Sequence, residues 1–169
     1  MFNKDFNELL SSFSAHNVKY LIVGGYAVAL HAQPRATKDL DLFIEQDPEN
    51  GQAVFAALTQ FGAPVQGMNP EDLIEPGSFF RMGVAPLMIE IFSKIDGIDF
   101  DQAWQNRVEV LIDEKNGLKA LFMSAPDLIQ SKLAAGRLID LADAEAVRIA
   151  QSDRIQGHKQ HHDPSNSDN

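Results

Sequence analysis

The chain has 169 residues, of which 44% are hydrophobic and 22% charged, an ordinary globular balance that fits one domain with a substantial core. It has no cysteine, which excludes disulfides, zinc–thiolate sites and thiol catalysis and suits a reducing compartment, so the expected location is the cytoplasm. The formal net charge of −10 speaks against broad binding to a nucleic acid backbone, and no run approaches the roughly 18 apolar residues of a membrane span.

Phe2, Phe6, Leu9, Leu10 and Phe13 recur at helical spacing and predict an amphipathic helix over residues 3–16. Val18 to Val23 is apolar and β-rich, and Gly24-Gly25 ends it where the backbone must turn. Tyr26 to Ala32 predicts a helix stopping before Pro34. Leu40, Leu42 and Ile44 then alternate with Asp39, Asp41 and Phe43, a strand with two acids at one end of one face. Asp47-Pro48-Glu49 opens a helix carrying Val54, Phe55, Leu58 and Phe61. Residues 62–77 predict a loop with one short helical turn.

Ser78 to Val84 and Leu87 to Phe92 predict consecutive strands around Ala85-Pro86, with Glu90 in mid-strand. An unpaired charge there is costly, so Glu90 asks for a partner. Asp99 to Gln105 predicts a short helix, and residues 108–112 and 118–122 a hairpin around Lys115-Asn116-Gly117. Ser124-Ala125-Pro126-Asp127 starts a helix expected to reach Ile139, with a second from Leu141 to Ile155. From Gly157 no apolar residue remains, so residues 1–156 are expected to form the domain and 157–169 a solvated polar tail.

The chemistry concentrates in three short segments. Asp39 and Asp41 share one side of their strand, about 7 Å apart along it, a spacing that lets two carboxylates share or bridge metal ions. Glu90 on a neighbouring strand can complete a set of hard oxygen ligands. Gly24 and Gly25 open a helix N-terminus whose backbone N–H groups suit phosphate. Arg35, Lys38 and Lys132 are candidate cations for phosphate charge, with Lys132 preferred over Arg137 because five residues on one helix separate their faces. Thr37 is a candidate phosphate donor. His31, Phe79, Phe80 and Trp104 are most simply packed residues, although one ring could stack on a nucleobase.

The order strand, Val23-Gly24-Gly25, helix, Asp39-Leu40-Asp41 strand, then Ile89-Glu90-Ile91, with thirteen residues between Gly25 and Asp39, resembles the nucleotidyltransferase superfamily related to DNA polymerase β. Residues 35–42, Arg-Ala-Thr-Lys-Asp-Leu-Asp-Leu, resemble the small proteins grouped with AbiEii-type toxin nucleotidyltransferases. Asp127 to Arg137 followed by Asp140-Leu141-Ala142-Asp143 is similar to that group's C-terminal helix pair, so the likeness spans residues 18–150. It implies an α/β (α+β) minimal nucleotidyltransferase fold: a mixed sheet flanked by helices, with a C-terminal helix pair.

It further implies that Asp39 and Asp41 bind Mg²⁺, that Glu90 completes the metal site or acts as base, and that Gly24, Gly25, Lys38 and Lys132 contact the NTP. The implied reaction moves a nucleoside monophosphate from an NTP to an unidentified acceptor, RNA, protein or small molecule, in a toxin–antitoxin or phage-defence setting with a possible protein partner. Many members carry Asp as third acid, and Glu90 is one methylene longer. The alternative is a non-catalytic antitoxin or nucleotide-sensing module on the same fold.

Overall fold

The computed structural model describes residues 2–34, 36–84 and 87–160, with side chains through Gln156. The element order is α1 (Lys4–Ala15), β1 (Tyr20–Ile22), α2 (Gly24–His31), β2 (Asp39–Ile44), α3 (Pro48–Phe61), a 3₁₀ turn (Pro70–Leu73), β3 (Phe79–Val84), β4 (Leu87–Phe92), α4 (Phe100–Gln105), β5 (Val108–Asp113), β6 (Leu118–Phe122), α5 (Ala125–Ala135) and α6 (Leu138–Gln160). The six strands form one mixed sheet in the order β3-β4-β2-β1-β6-β5. Neighbours β1/β2, β3/β4 and β5/β6 are antiparallel, whereas β2/β4 and β1/β6 are parallel. This is the mixed α/β sheet flanked by helices that the sequence implies.

Strand alternation sorts the sheet into two faces. Leu40, Leu42 and Ile44 on β2, with Tyr20 and Ile22 on β1, are fully buried on one face, where Phe13 of α1 meets the Tyr20 ring edge-on at 5.4 Å. The α1–α3 layer over that face is tied by the Ser12 hydroxyl, which donates to the Ala57 carbonyl at 2.9 Å. Phe6, Leu9, Leu10 and Phe13 are at most 1% exposed, and each such side chain contributes about 1.5–3 kcal/mol through burial. At the start of α3, the buried Asn50 amide donates to the Lys19 and Glu45 carbonyls, both at 3.0 Å, locking that helix to the ends of β1 and β2.

The other face of β2 carries Asp39, Asp41 and Phe43. Phe43 is buried against Phe100 of α4, with ring centroids 5.0 Å apart, and against Phe92 of β4 at 6.5 Å. The face is therefore acidic at one end and aromatic at the other. α2 is fixed beside it by His31, whose Nε2 lies 2.7 Å from the Met123 carbonyl at the β6–α5 junction. Burial holds the His31 pKa below its ordinary value, as a packed structural histidine requires.

Three boundaries differ from the sequence expectation. The glycines do not merely end β1: they form the first turn of α2. α5 ends at Ala135 rather than Ile139, because Gly136 adopts φ +69 and its N–H bonds back to the Lys132 carbonyl. α6 then begins at Leu138 and its backbone runs to Gln160, so residues 157–160, expected in the tail, are helical, and 161–169 lie outside the described residues. The Ala85-Pro86 turn and Arg35 also lie outside them.

Candidate active site

A cleft of about 500 Å³ opens between the acidic end of the sheet and the α5–α6 pair. Its wall includes Gly24, Gly25, Thr37, Asp39, Asp41 and Glu90. Strand geometry assembles the acids: β2 and β4 run parallel with Asp41 opposite Glu90, so both side chains project from the same face, as does Asp39 two residues earlier. Asp41 and Glu90 are direct cross-strand neighbours, close enough for the charge of one to act on the other. Burial, then the charge of Glu90, then that of Asp39, push the Asp41 pKa up to about 7. Clustered carboxylates of this kind hold a proton or a cation in preference to bare charge.

Gly24 makes room for this arrangement. Its backbone has φ +59, and a Cβ built there would fall 1.9 Å from Asp41 Oδ2. Glycine is required on both counts. The residue before it, Val23, supplies no side-chain cap, so the first N–H groups of α2 are left to whatever occupies the cleft that Gly24 and Gly25 line.

Lys132 reaches the cleft from α5 but is already partnered. Its Nζ donates to Asp140 Oδ1 at 2.9 Å and lies 3.0 Å from Asp143 Oδ2, both on α6. Arg137 Nε donates to Asp140 Oδ2 at 2.5 Å, so the α5–α6 break brings Lys132 and Arg137 onto one carboxylate, although a continuous helix would separate their faces. Arg137 first, and Lys132 with it, hold the Asp140 carboxyl down to about 2. Two of the three Lys132 N–H donors are used, leaving one for a ligand. The Lys132 charge also acts on Asp41, opposing the upward push of its neighbours.

Lys38 is exposed just before β2 and is not among the cleft-lining residues, whereas its neighbour Thr37 is. Lys94 lines the cleft and was not singled out from sequence; Glu90, Phe92 and Lys94 follow one alternation, which was the available signal. Arg81 was missed too. It lies opposite Glu90 on β3 and its guanidinium donates to Glu90 Oε1, supplying the partner that the mid-strand charge demands. Of the residues read as packed, Trp104 stacks on Phe100 at 6.0 Å and under Arg107 at 4.2 Å, while Phe79 is 54% exposed.

The donor set of Asp39, Asp41 and Glu90 is all hard oxygen, which suits Mg²⁺ rather than a softer metal. Among the described residues, however, no three His, Cys, Asp or Glu side chains form a ready metal-binding group. The backbone places the acids on one face, and the Glu90 side chain is paired with Arg81.

This sheet, with two acids on the strand after a glycine-opened helix and a third on the adjoining parallel strand, defines the nucleotidyltransferase fold. A solved structure from Thermotoga maritima, provisionally assigned as a nucleotidyltransferase, shares it at a TM-score of 0.54 and 15% identity, covering 92% of this chain and 91% of that one. The chain belongs to the DUF6036 family, nucleotidyltransferases of unknown function, whose model matches residues 2–156. No curated protein matches it in sequence. Among the described residues no helix is long and apolar enough to cross a membrane.

Proposed function

We propose that this chain is a Mg²⁺-dependent nucleotidyltransferase that moves a nucleoside monophosphate from an NTP to an acceptor, releasing pyrophosphate. The observation that carries this reading is the shared cleft: Asp39, Asp41 and Glu90 line the same cleft as the uncapped α2 N-terminus. Asp39 and Asp41, with Glu90, are the residues to hold Mg²⁺. When bound, the ion neutralises triphosphate charge and the charge that develops on the transferring phosphoryl group.

The remaining work falls to the chain. The Gly24 and Gly25 backbone N–H groups bind phosphate oxygens, aided by the positive end of the α2 dipole. Lys132, held by Asp140 and Asp143, offers its remaining donor to the same phosphates, with Lys94 in the same cleft as a second cation. Glu90 is the candidate to accept the acceptor's proton. Phe92 and Ile95 form an apolar wall suited to a base or ribose.

An AbiEii-like assignment, with a toxin–antitoxin setting and a protein partner, is supported by residues 35–42 and by the α5–α6 stretch from Lys132 to Asp143. Calorimetry of each NTP with Mg²⁺ tests the enzymatic reading. Mg²⁺-dependent binding that disappears in Asp39→Ala/Asp41→Ala is expected. Absence of such binding, or binding unchanged by the substitutions, would leave a fold used as an interaction module.

A further inference from the structure

Glu90 is held from both sides. β2 brings Asp41 opposite it, and β3, at the edge of the sheet, brings Arg81 opposite it in the antiparallel register. The Glu90 side chain is only 17% exposed, whereas that of Arg81 is 56% exposed. Beyond its ion pair, the guanidinium rests only loosely on the Phe79 ring, 5.4 Å from the centroid. A half-buried acid is thus paired with a cation that has open solvent on its outer side.

The same Oε1 that accepts from Arg81 is a lone-pair donor that a metal ion needs. A guanidinium and a divalent cation cannot share one carboxylate oxygen at close range without strong mutual repulsion. Of the three acids on that face, Glu90 is the one whose oxygen is already taken by a cation. We infer that Arg81 is a positioning residue that competes with the divalent cation for Glu90, so that filling the carboxylate cluster requires the guanidinium to swing off Oε1 toward the open sheet edge.

The inference rests on the metal-dependent reading above and adds the residue that sets cation affinity. In the absence of the cation, Arg81 holds the Glu90 side chain in place through Oε1. When the cation takes Oε1, the Arg81 pair is exchanged rather than added to, because the guanidinium and the cation repel each other at that range. Loss of Arg81 therefore tightens cation binding specifically through Glu90, not merely by removing a positive charge from the neighbourhood.

The test is a Mn²⁺ titration of the full chain, followed by the electron-spin signal of free Mn²⁺, for wild type, Arg81→Gln, Glu90→Gln and the double variant. Circular dichroism and the thermal midpoint report that each is folded. Arg81→Met, which keeps an unbranched side chain at this position, serves if Arg81→Gln is unstable. Lys94→Gln removes the same charge from the cleft without a Glu90 contact.

Tightening of about three- to tenfold is expected in Arg81→Gln, the range of a partly exposed charge-assisted pair, with little or none once Glu90→Gln is present. Lys94→Gln should give a smaller gain that survives Glu90→Gln. Binding by Arg81→Gln alone, with none by wild type, supports the inference most strongly. An equal gain in both Glu90 backgrounds, or wild-type binding that Arg81→Gln leaves unchanged, overturns it while sparing the metal-dependent reading. No Mn²⁺ binding by any variant overturns both.

Discussion

Gly24 and Asp41 touch so closely that a methyl group on the first would fall 1.9 Å from a carboxylate oxygen of the second. The glycine turn and the acid strand are therefore one unit: the conformation that opens α2 toward the cleft is the one that leaves space for Asp41. Gly24→Ala must displace Asp41, abandon φ +59, or both.

Gly24→Ala is expected to cost about 1–3 kcal/mol of stability and to abolish Mg²⁺-dependent NTP binding. Denaturant unfolding beside calorimetry separates the two effects. A variant that is destabilised yet binds NTP normally would show that the glycine serves folding alone.

Asp41 gives the metal-free protein a distinctive pH profile. Its folded pKa of about 7 lies above the ordinary 3.8, so the folded state binds the extra proton between those values. Its stabilising effect is fully present below about pH 4 and is lost as pH rises through about 7, by at most about 4 kcal/mol. Asp41→Asn should remove that loss and make the metal-free chain more stable than wild type at pH 8. Unfolding curves at pH 5 and pH 8 check this, and a wild type as stable at pH 8 as Asp41→Asn would count against a crowded carboxylate cluster.

His31 has the opposite sign. Burial lowers its pKa, so the unfolded chain takes up a proton first and the fold loses stability as pH falls through about 6.5. His31→Ala leaves the Met123 carbonyl without its ring partner and opens a cavity, at an expected cost of about 2–3 kcal/mol. The pH dependence contributed by His31 should vanish in the same variant.

Lys132 is expected to matter twice. Lys132→Met removes the cation that Asp140 and Asp143 share at 1% and 5% side-chain exposure, and should destabilise the fold by about 3 kcal/mol. If its third donor also holds phosphate, NTP affinity falls in the variant under conditions where it remains fully folded. Unfolding and calorimetry on the same preparation distinguish a purely structural lysine from one that does both.

Much of this was legible because β-strands advertise themselves by alternation. Asp39-Leu40-Asp41-Leu42 already separates an acid face from a core face, and the sheet confirms that separation with Leu40 and Leu42 fully buried. Glu90 could be recognised as needing a partner, but not which one: Arg81 is set by the antiparallel register of β3 and β4, and nothing in the local sequence encodes it. The α5–α6 boundary was misplaced for a different reason. Apolar Leu133, Leu138 and Ile139 extend the helical pattern across Gly136, yet they are 56%, 88% and 57% exposed, so the periodicity there does not report burial. With the break in the wrong place, the meeting of Lys132 and Arg137 on Asp140 was hidden.

The most direct measurement supplies the protein and Mg²⁺ with NTPs labelled either at the α-phosphate or at the γ-phosphate, in the presence of total RNA and cell lysate, and follows label into macromolecules. Nucleotidyl transfer requires α-label to appear on an acceptor while γ-label leaves as pyrophosphate, with both signals lost in Asp39→Ala/Asp41→Ala. Incorporation of γ-label, or α-label transfer that persists without the two aspartates, would contradict it.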